Sequence, residues 1–192
     1  MTRFALQTLL IIALTIISTT ATKAQTLNLT GNKNSVVVTG TSSLHDWEMV
    51  LSDFRATAEV TQNDDGSFTL TKAGLTGDAN KLSSDNSMMD KKAHEALEAK
   101  KAPALTFRQS APLNIQAGND KKVQIKGNLT IAGETRPVSL PINLSYQESG
   151  NITVKGTATI QMSDYEMDPP TAMFGTIKTG DEVKVNINLE LK

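Results

Sequence analysis

Few residues in this chain are equipped for chemistry: two histidines, His45 and His94, no cysteine, and the neighbouring acids Asp164, Glu166 and Asp168. His45 belongs to the triplet His45-Asp46-Trp47, where an imidazole and a carboxylate adjoin. On a strand, successive side chains point to opposite faces, so His45 and Trp47 share one face and Asp46 takes the other. Adjacency therefore gives no His–Asp proton relay. His45 reads as a structural histidine and Trp47 as a core or cavity-wall residue. Neither histidine has a metal-binding partner at recognisable spacing, and without cysteine a zinc site would have to lean on carboxylates. The three acids before Pro169 read as a solvated loop, with a weak cation site as the minor alternative. No nucleophile elbow, phosphate loop or dinucleotide fingerprint occurs. The chain is expected not to be an enzyme, and to need neither cofactor nor metal.

What remains is apolar chemistry. Met49, Met88, Met89, Met162, Met167 and Met173 supply flexible thioethers, which conform to apolar partners of variable shape. They either fill gaps in a core or line a binding site. The elements that would position them are mostly strands. Val123, Ile125, Leu129 and Ile131 share one parity, with Gln124, Lys126, Asn128 and Thr130 on the other, as in a strand with one dry face. Gly133 and Pro137 mark a compact turn, with pairing expected to restart beyond the proline. Val138, Leu140, Ile142, Leu144 and Tyr146 then give the return strand.

The same alternation runs through the rest of the chain. Leu27-Asn-Leu29 and Val36-Val-Val38 flank the turn composition Gly31-Asn-Lys-Asn34. Parity changes between Met49, Leu51 and Phe54, Ala56, Ala58, so a bend or bulge is expected near Ser52-Asp53. Turns are expected at Asn63–Gly66, Ala117–Lys121 and Glu148–Asn151, and the last two strands carry Ile152 to Met162 and Val183 to Leu191. Only Lys81 to Lys101 breaks the pattern. There Met89, Ala93, Ala96 and Leu97 fall on one helical face, Asp85 or Ser87 caps the start, and Pro103 closes it. This helix is expected to pack against the barrel or lid its mouth, with a partner-binding helix as the minor alternative. About eight strands and one short amphipathic helix predict an all-β fold, an antiparallel eight-stranded barrel.

Composition narrows the rest. A formal net charge of -1 and no basic run interleaved with aromatics argue against nucleic-acid binding. Met1-Thr-Arg3 followed by the apolar stretch Phe4 to Ser18 reads as a signal peptide, cleaved after Ala24 or, alternatively, Ala21. The apolar run falls short of the roughly 20 residues that a spanning helix needs. One domain over residues 25–192 is expected, exported to the periplasm or secreted, with no transmembrane span in the mature chain. An outer-membrane barrel would need aromatic girdles, and aromatics make up only 4% of the residues.

The segment Gly127-Asn-Leu-Thr-Ile-Ala-Gly-Glu-Thr-Arg-Pro-Val-Ser-Leu140 resembles the signature strand pair of the YceI-like family, the lipocalin-like polyisoprenoid-binding proteins. Met89-Asp90, His94, Leu97, Pro103 and Phe107 resemble its helix and the strand after it, and Ser163-Asp-Tyr165 with Gly180 to Val185 resemble its tail. The likeness runs from about Leu27 to Lys192. Two positions depart from the pattern: the early strand reads Gly40-Thr-Ser-Ser-Leu-His-Asp-Trp47, and Met162 stands where a basic residue is expected. The resemblance implies an extended barrel that holds a long apolar molecule, an isoprenoid or a fatty acyl lipid, in a periplasmic, non-enzymatic carrier role. The expected ligand contacts are Trp47, Met49, Met88, Met89, Leu97, Phe107, Leu129, Ile131, Met162, Tyr165 and Phe174. The alternative is a solid-cored interaction module without ligand. Homodimers occur among the proteins it resembles, and no segment here specifies an interface.

Overall fold

The computed structural model describes residues 24–30, 33–116, 118–147 and 150–192. Residues 1–23 of the leader expected to end at Ala24 lie outside the described residues, as do Gly31, Asn32, Ala117, Glu148 and Ser149 of the expected turns.

Alternating sequence settles into thirteen strands: β1 (Ala24–Asn28), β2 (Ser35–Ser42), β3 (Trp47–Leu51), β4 (Phe54–Gln62), β5 (Phe68–Asp78), β6 (Leu82–Ser83), β7 (Ala104–Gln109), β8 (Leu113–Ile115), β9 (Gly118–Ile131), β10 (Glu134–Tyr146), β11 (Ile152–Gln161), β12 (Thr171–Ala172) and β13 (Ile177–Leu191). Among the described residues the single α-helix is α1 (Ser87–Ala96). Every strand pairing is antiparallel. Eleven of the strands follow one path, β1-β4-β5-β7-β9-β10-β11-β13-β2-β3-β6. The sheet curls until the end of β1 reaches the end of β13: beyond β1, Leu29 bridges Leu191, and Asn28 and Lys192 exchange backbone hydrogen bonds of 3.0 and 2.9 Å.

The strand count differs from the eight expected. The pairs β1 and β2, β3 and β4, and β7 and β8 each count as two strands, and the two-residue strands β6 and β12 add to the tally. The interruption at Ser52-Asp53 falls where the apolar parity changes, and it is held by Ser52 N donating to the Lys81 carbonyl (3.1 Å). Both halves of that ribbon then turn apolar residues inward, with Met49, Leu51, Ala56 and Ala58 buried.

Two further expectations need correction. Pairing does not restart beyond Pro137: β10 begins at Glu134, and Pro137 sits opposite Asn128 within the β9–β10 ladder. The turn is the two-residue Ala132-Gly133, both left-handed (φ 52° and 87°), a conformation that matches the twist of a tight hairpin. Likewise β13 starts at Ile177 rather than Val183, absorbing Gly180 to Glu182 through a register shift between Thr179 and Val183. An irregular stretch absorbs the extra residues by bulging, so strand pairing survives.

Candidate functional site

Inward residue size decides where the interior is filled. At the end carrying the 63–67 and 147–151 turns, the rings of Phe68 and Tyr146 lie 4.0 Å apart, centroid to centroid. Leu27, Leu144 and Ile152 around them are buried to 1% exposure or less. Farther along, the wall offers Ala56, Ala58, Ala73 and Ala158 together with Gly156. Side chains this short cannot meet across a curled sheet. A cavity of about 520 Å³ results.

Two rings shape its wall. A Cβ on Gly40 would run into the Trp47 indole, and one on Gly127 into the Phe107 ring. Each glycine thereby lets an aromatic side chain lie against the neighbouring strand. Trp47 is pinned further by its indole N–H, which donates to the Thr41 carbonyl (3.1 Å).

Helix α1 covers the open end. Its amino terminus is capped by Asn86, whose side-chain oxygen accepts from Met88 N (3.0 Å) and Met89 N (3.2 Å), rather than by Asp85 or Ser87. Asp90 accepts from the Ser84 backbone N–H and hydroxyl, both at 2.7 Å. His94 Nε2 donates to the Leu82 carbonyl (2.7 Å), tying the helix to β6. The expected stripe of Met89, Ala93, Ala96 and Leu97 faces the cavity, joined by Met88 and Lys92. The stripe both packs against the core and borders the cavity.

The mouth lies between this lid, the β2–β3 connection and the segment before β13. Ser42, Leu44 and His45 border it on one side and Pro170 to Met173 on another. Leu44, Met88 and Met173 are each about two-thirds exposed there, and Phe174 is wholly exposed. His45 lies outside any strand and contacts the backbone carbonyl of Asp46 through Nδ1 (2.6 Å), not its carboxylate. Lys92 and His45 are the ionisable residues of the lining, which contains no Asp or Glu. Lys92 is offset by Glu95 at 3.5 Å. Such a surface recognises shape and apolar area.

Among the acids before Pro169, Arg136 engages Glu166 through its carboxylate, donating from Nη2 (3.2 Å), and Asp164 through its backbone carbonyl only, donating from Nε (2.9 Å). Asp181 accepts from the hydroxyl and backbone N–H of Ser163, which hold its carboxyl below the usual range. Together these bonds fix the turn Met162–Tyr165 over buried Met162, Tyr165 and Met167. Burial, helped by the Asp164 charge, pushes the Tyr165 hydroxyl up. Among the described residues no group of three or more His, Asp or Glu is placed to hold a metal ion.

Of the eleven residues singled out from sequence, Trp47, Met49, Met88, Met89, Leu97, Phe107, Leu129, Ile131 and Met162 border the cavity. Tyr165 and Phe174 do not. Tyr165 is buried beneath the Arg136 latch, and Phe174 points into solvent because Met173 and Phe174 both adopt left-handed backbone (φ 50° and 57°). Sequence reasoning passed over Leu44 at the mouth and the small wall residues Ala56, Ala58, Ala73 and Gly156. Their signal was small size at inward positions of the alternation.

A YceI-like domain model matches residues 28–191. No curated protein matches. Among solved structures, Burkholderia cenocepacia BcnA is 21% identical with a TM-score of 0.64, covering 82% of this chain and 96% of its own. A polyisoprenoid binding domain from Saccharophagus degradans, implicated in plant cell wall breakdown, is 14% identical with a TM-score of 0.63, covering 86% and 97%. The Campylobacter jejuni YCEI protein is 20% identical with a TM-score of 0.53, covering 74% and 82%. The curled antiparallel sheet is the fold they share, and the matched segment spans almost every described residue, so this chain belongs to the YceI-like domain family.

Proposed function

We propose that this protein is a non-enzymatic carrier that binds a long apolar molecule, an isoprenoid or a fatty acyl lipid, inside an eight-ribbon barrel, after export to the periplasm or beyond. The observation that supports it is the cavity of about 520 Å³ with its apolar wall. That volume falls within the roughly 300–1,000 Å³ typical of small-molecule sites. At roughly 30 Å³ for a water-sized unit, it takes on the order of 17 such units, about one 16-carbon chain. Burying about 15 methylenes at roughly 0.8 kcal/mol each gives about 12 kcal/mol. Against an association cost of about 4 kcal/mol at the low end, about 8 kcal/mol remains, which corresponds to micromolar binding. No charged anchor is needed. The apolar rim of Leu44, Met88 and Met173 suits uptake of a tail from another apolar environment.

One support comes from outside the cavity. Family membership favours an apolar ligand, since one fold relative carries polyisoprenoid binding in its description. No helix among the described residues is long and apolar enough to cross a membrane. The test is native mass spectrometry of the protein purified from its own envelope, with organic extraction in parallel. A co-purifying apolar molecule released by solvent supports the carrier. A chain that repeatedly flies at its bare mass, and takes up neither hexadecanoate nor an isoprenoid alcohol when offered, would sink it.

A further inference from the structure

The wall of the curled sheet is not uniformly stitched. The β10–β11 ladder consists of five pairs, from Tyr146–Ile152 to Ile142–Gly156, and stops there. Both strands run on: β10 from Pro141 back to Glu134 along β9, and β11 from Thr157 to Gln161 along β13. Gln147 N donates to the Asn151 carbonyl (3.0 Å), which places the odd-numbered positions of β10 on the β11 side, because hydrogen-bonding direction alternates along a strand. The next three such positions are Pro141, Ser139 and Pro137. Two of them have no N–H to give, so the ladder has lost two of its next three donors by sequence.

Flanking side chains turn away from the gap. Ser139 Oγ donates to Gln124 on β9 (3.3 Å), and Thr157 Oγ1 donates to Asn186 on β13 (2.8 Å). Pro141, Ile142, Gly156 and Thr157 border both the inner cavity and a groove on the outer face of the sheet. Above the gap, the Met162–Tyr165 turn is held to β10 by the Arg136 bonds to Asp164 and Glu166.

We propose that the seam between β10 and β11 is a side portal, bounded below by the Ile142–Gly156 pair and above by the Arg136 latch, through which an apolar tail enters or leaves. It rests on the carrier reading given above and assigns a second route besides the mouth under α1. A chain longer than the cavity accommodates would lie with its excess in this seam.

The chain has no cysteine, so Thr157→Cys gives a unique, exposed thiol at the seam, and Lys184→Cys gives a control on β13, where both neighbours are laddered. Each is coupled to a pyrene maleimide, and release of a fluorophore-labelled hexadecanoic acid is followed by stopped flow. The adduct at position 157 is expected to slow release about tenfold, within the decades over which off-rates vary among variants of one site. The adduct at 184 should leave it unchanged. Equal rates in the two adducts, with the probe bound, would overturn the portal and leave the carrier intact. Failure of the unmodified protein to bind the probe would overturn both. Should the 157 adduct unfold, Arg136→Ala decides: release faster than in the unsubstituted protein supports the portal, and an unchanged rate overturns it.

Discussion

The two ends of the curled sheet share one alternation and differ in what it delivers. At the end that floors the cavity, inward positions hold Phe68, Leu27, Leu144 and Ile152, each buried to 1% exposure or less. Toward the helix they hold Ala56, Ala58, Ala73 and Ala158, with Trp47 and Phe107 laid against glycines. Period two says which face is dry; residue volume says whether opposite walls touch. The filled end can therefore supply stability while the hollow end forgoes packing to leave room for a guest.

Large-to-small substitutions probe that difference most strongly. Phe68→Ala removes a fully buried ring stacked on Tyr146, and such changes cost about 3–5 kcal/mol through lost transfer energy and the cavity left behind. Phe107 is half-buried on the cavity wall, so Phe107→Ala only enlarges space that already exists and is expected to cost about 1–2 kcal/mol. Urea midpoints of the two variants measure both. Equal losses would mean that the hollow end is packed as tightly as the other, and the contrast would fail.

The lid comes next. Asn86→Ala removes the acceptor of Met88 N and Met89 N, a change worth about 1 kcal/mol at a helix start. Amide exchange in the first turn of α1 should quicken while Phe68 and Leu144 stay protected. Loss of protection at both ends together would show that the lid and the filled end unfold as one unit.

How much of this was readable beforehand follows from which interactions are local. The dry faces, the break at Ser52-Asp53 and the stripe Met89, Ala93, Ala96, Leu97 were legible because period alone specifies them. The cap was not, since Asp85, Asn86 and Ser87 are all competent and only the point where the backbone enters the helix selects Asn86. Pro137 was read as a stop because its missing N–H was taken to break all pairing; the loss falls on one neighbour only, β11, and the ladder to β9 continues. Phe174 was expected among the ligand contacts, and two consecutive left-handed residues, invisible to alternation, turn it outward. Strand number failed for a similar reason, as interruptions depend on loops that pair at a distance.

Acid provides a gentler probe. Asp65 is held below the ordinary carboxylate value of 3.8 by the Ser67 hydroxyl, Asp78 by the Asn80 side chain, and Asp181 by the Ser163 hydroxyl, each helped by a backbone N–H. A folded-state value below the unfolded one means stabilisation that is present above about 3.8 and lost as pH falls through the lower folded value. Two of the three, Asp78 and Asp181, serve the hollow end, where they secure the approach to α1 and the Met162–Tyr165 turn. The melting temperature should drop modestly between pH 5 and pH 3, and Asp181→Asn should start lower at pH 5 and fall less. An identical drop with Asn at 181 would remove that carboxylate from the account.

The smallest expected effect on stability is at the rim. Phe174 is wholly exposed and touches no part of the buried core, so Phe174→Ser should change the unfolding free energy from urea melts by no more than about 0.5 kcal/mol, the range of surface changes without special partners. Its left-handed backbone makes the ring's outward display a structural choice with no packing return. If that display serves capture of lipid at the mouth, transfer of a labelled fatty acid from vesicles should slow while release from the loaded protein keeps its rate, because the ring lies outside the cavity wall. Altered release with unaltered capture would place Phe174 in contact with the guest instead, and the hollow end would then extend beyond the residues that border it.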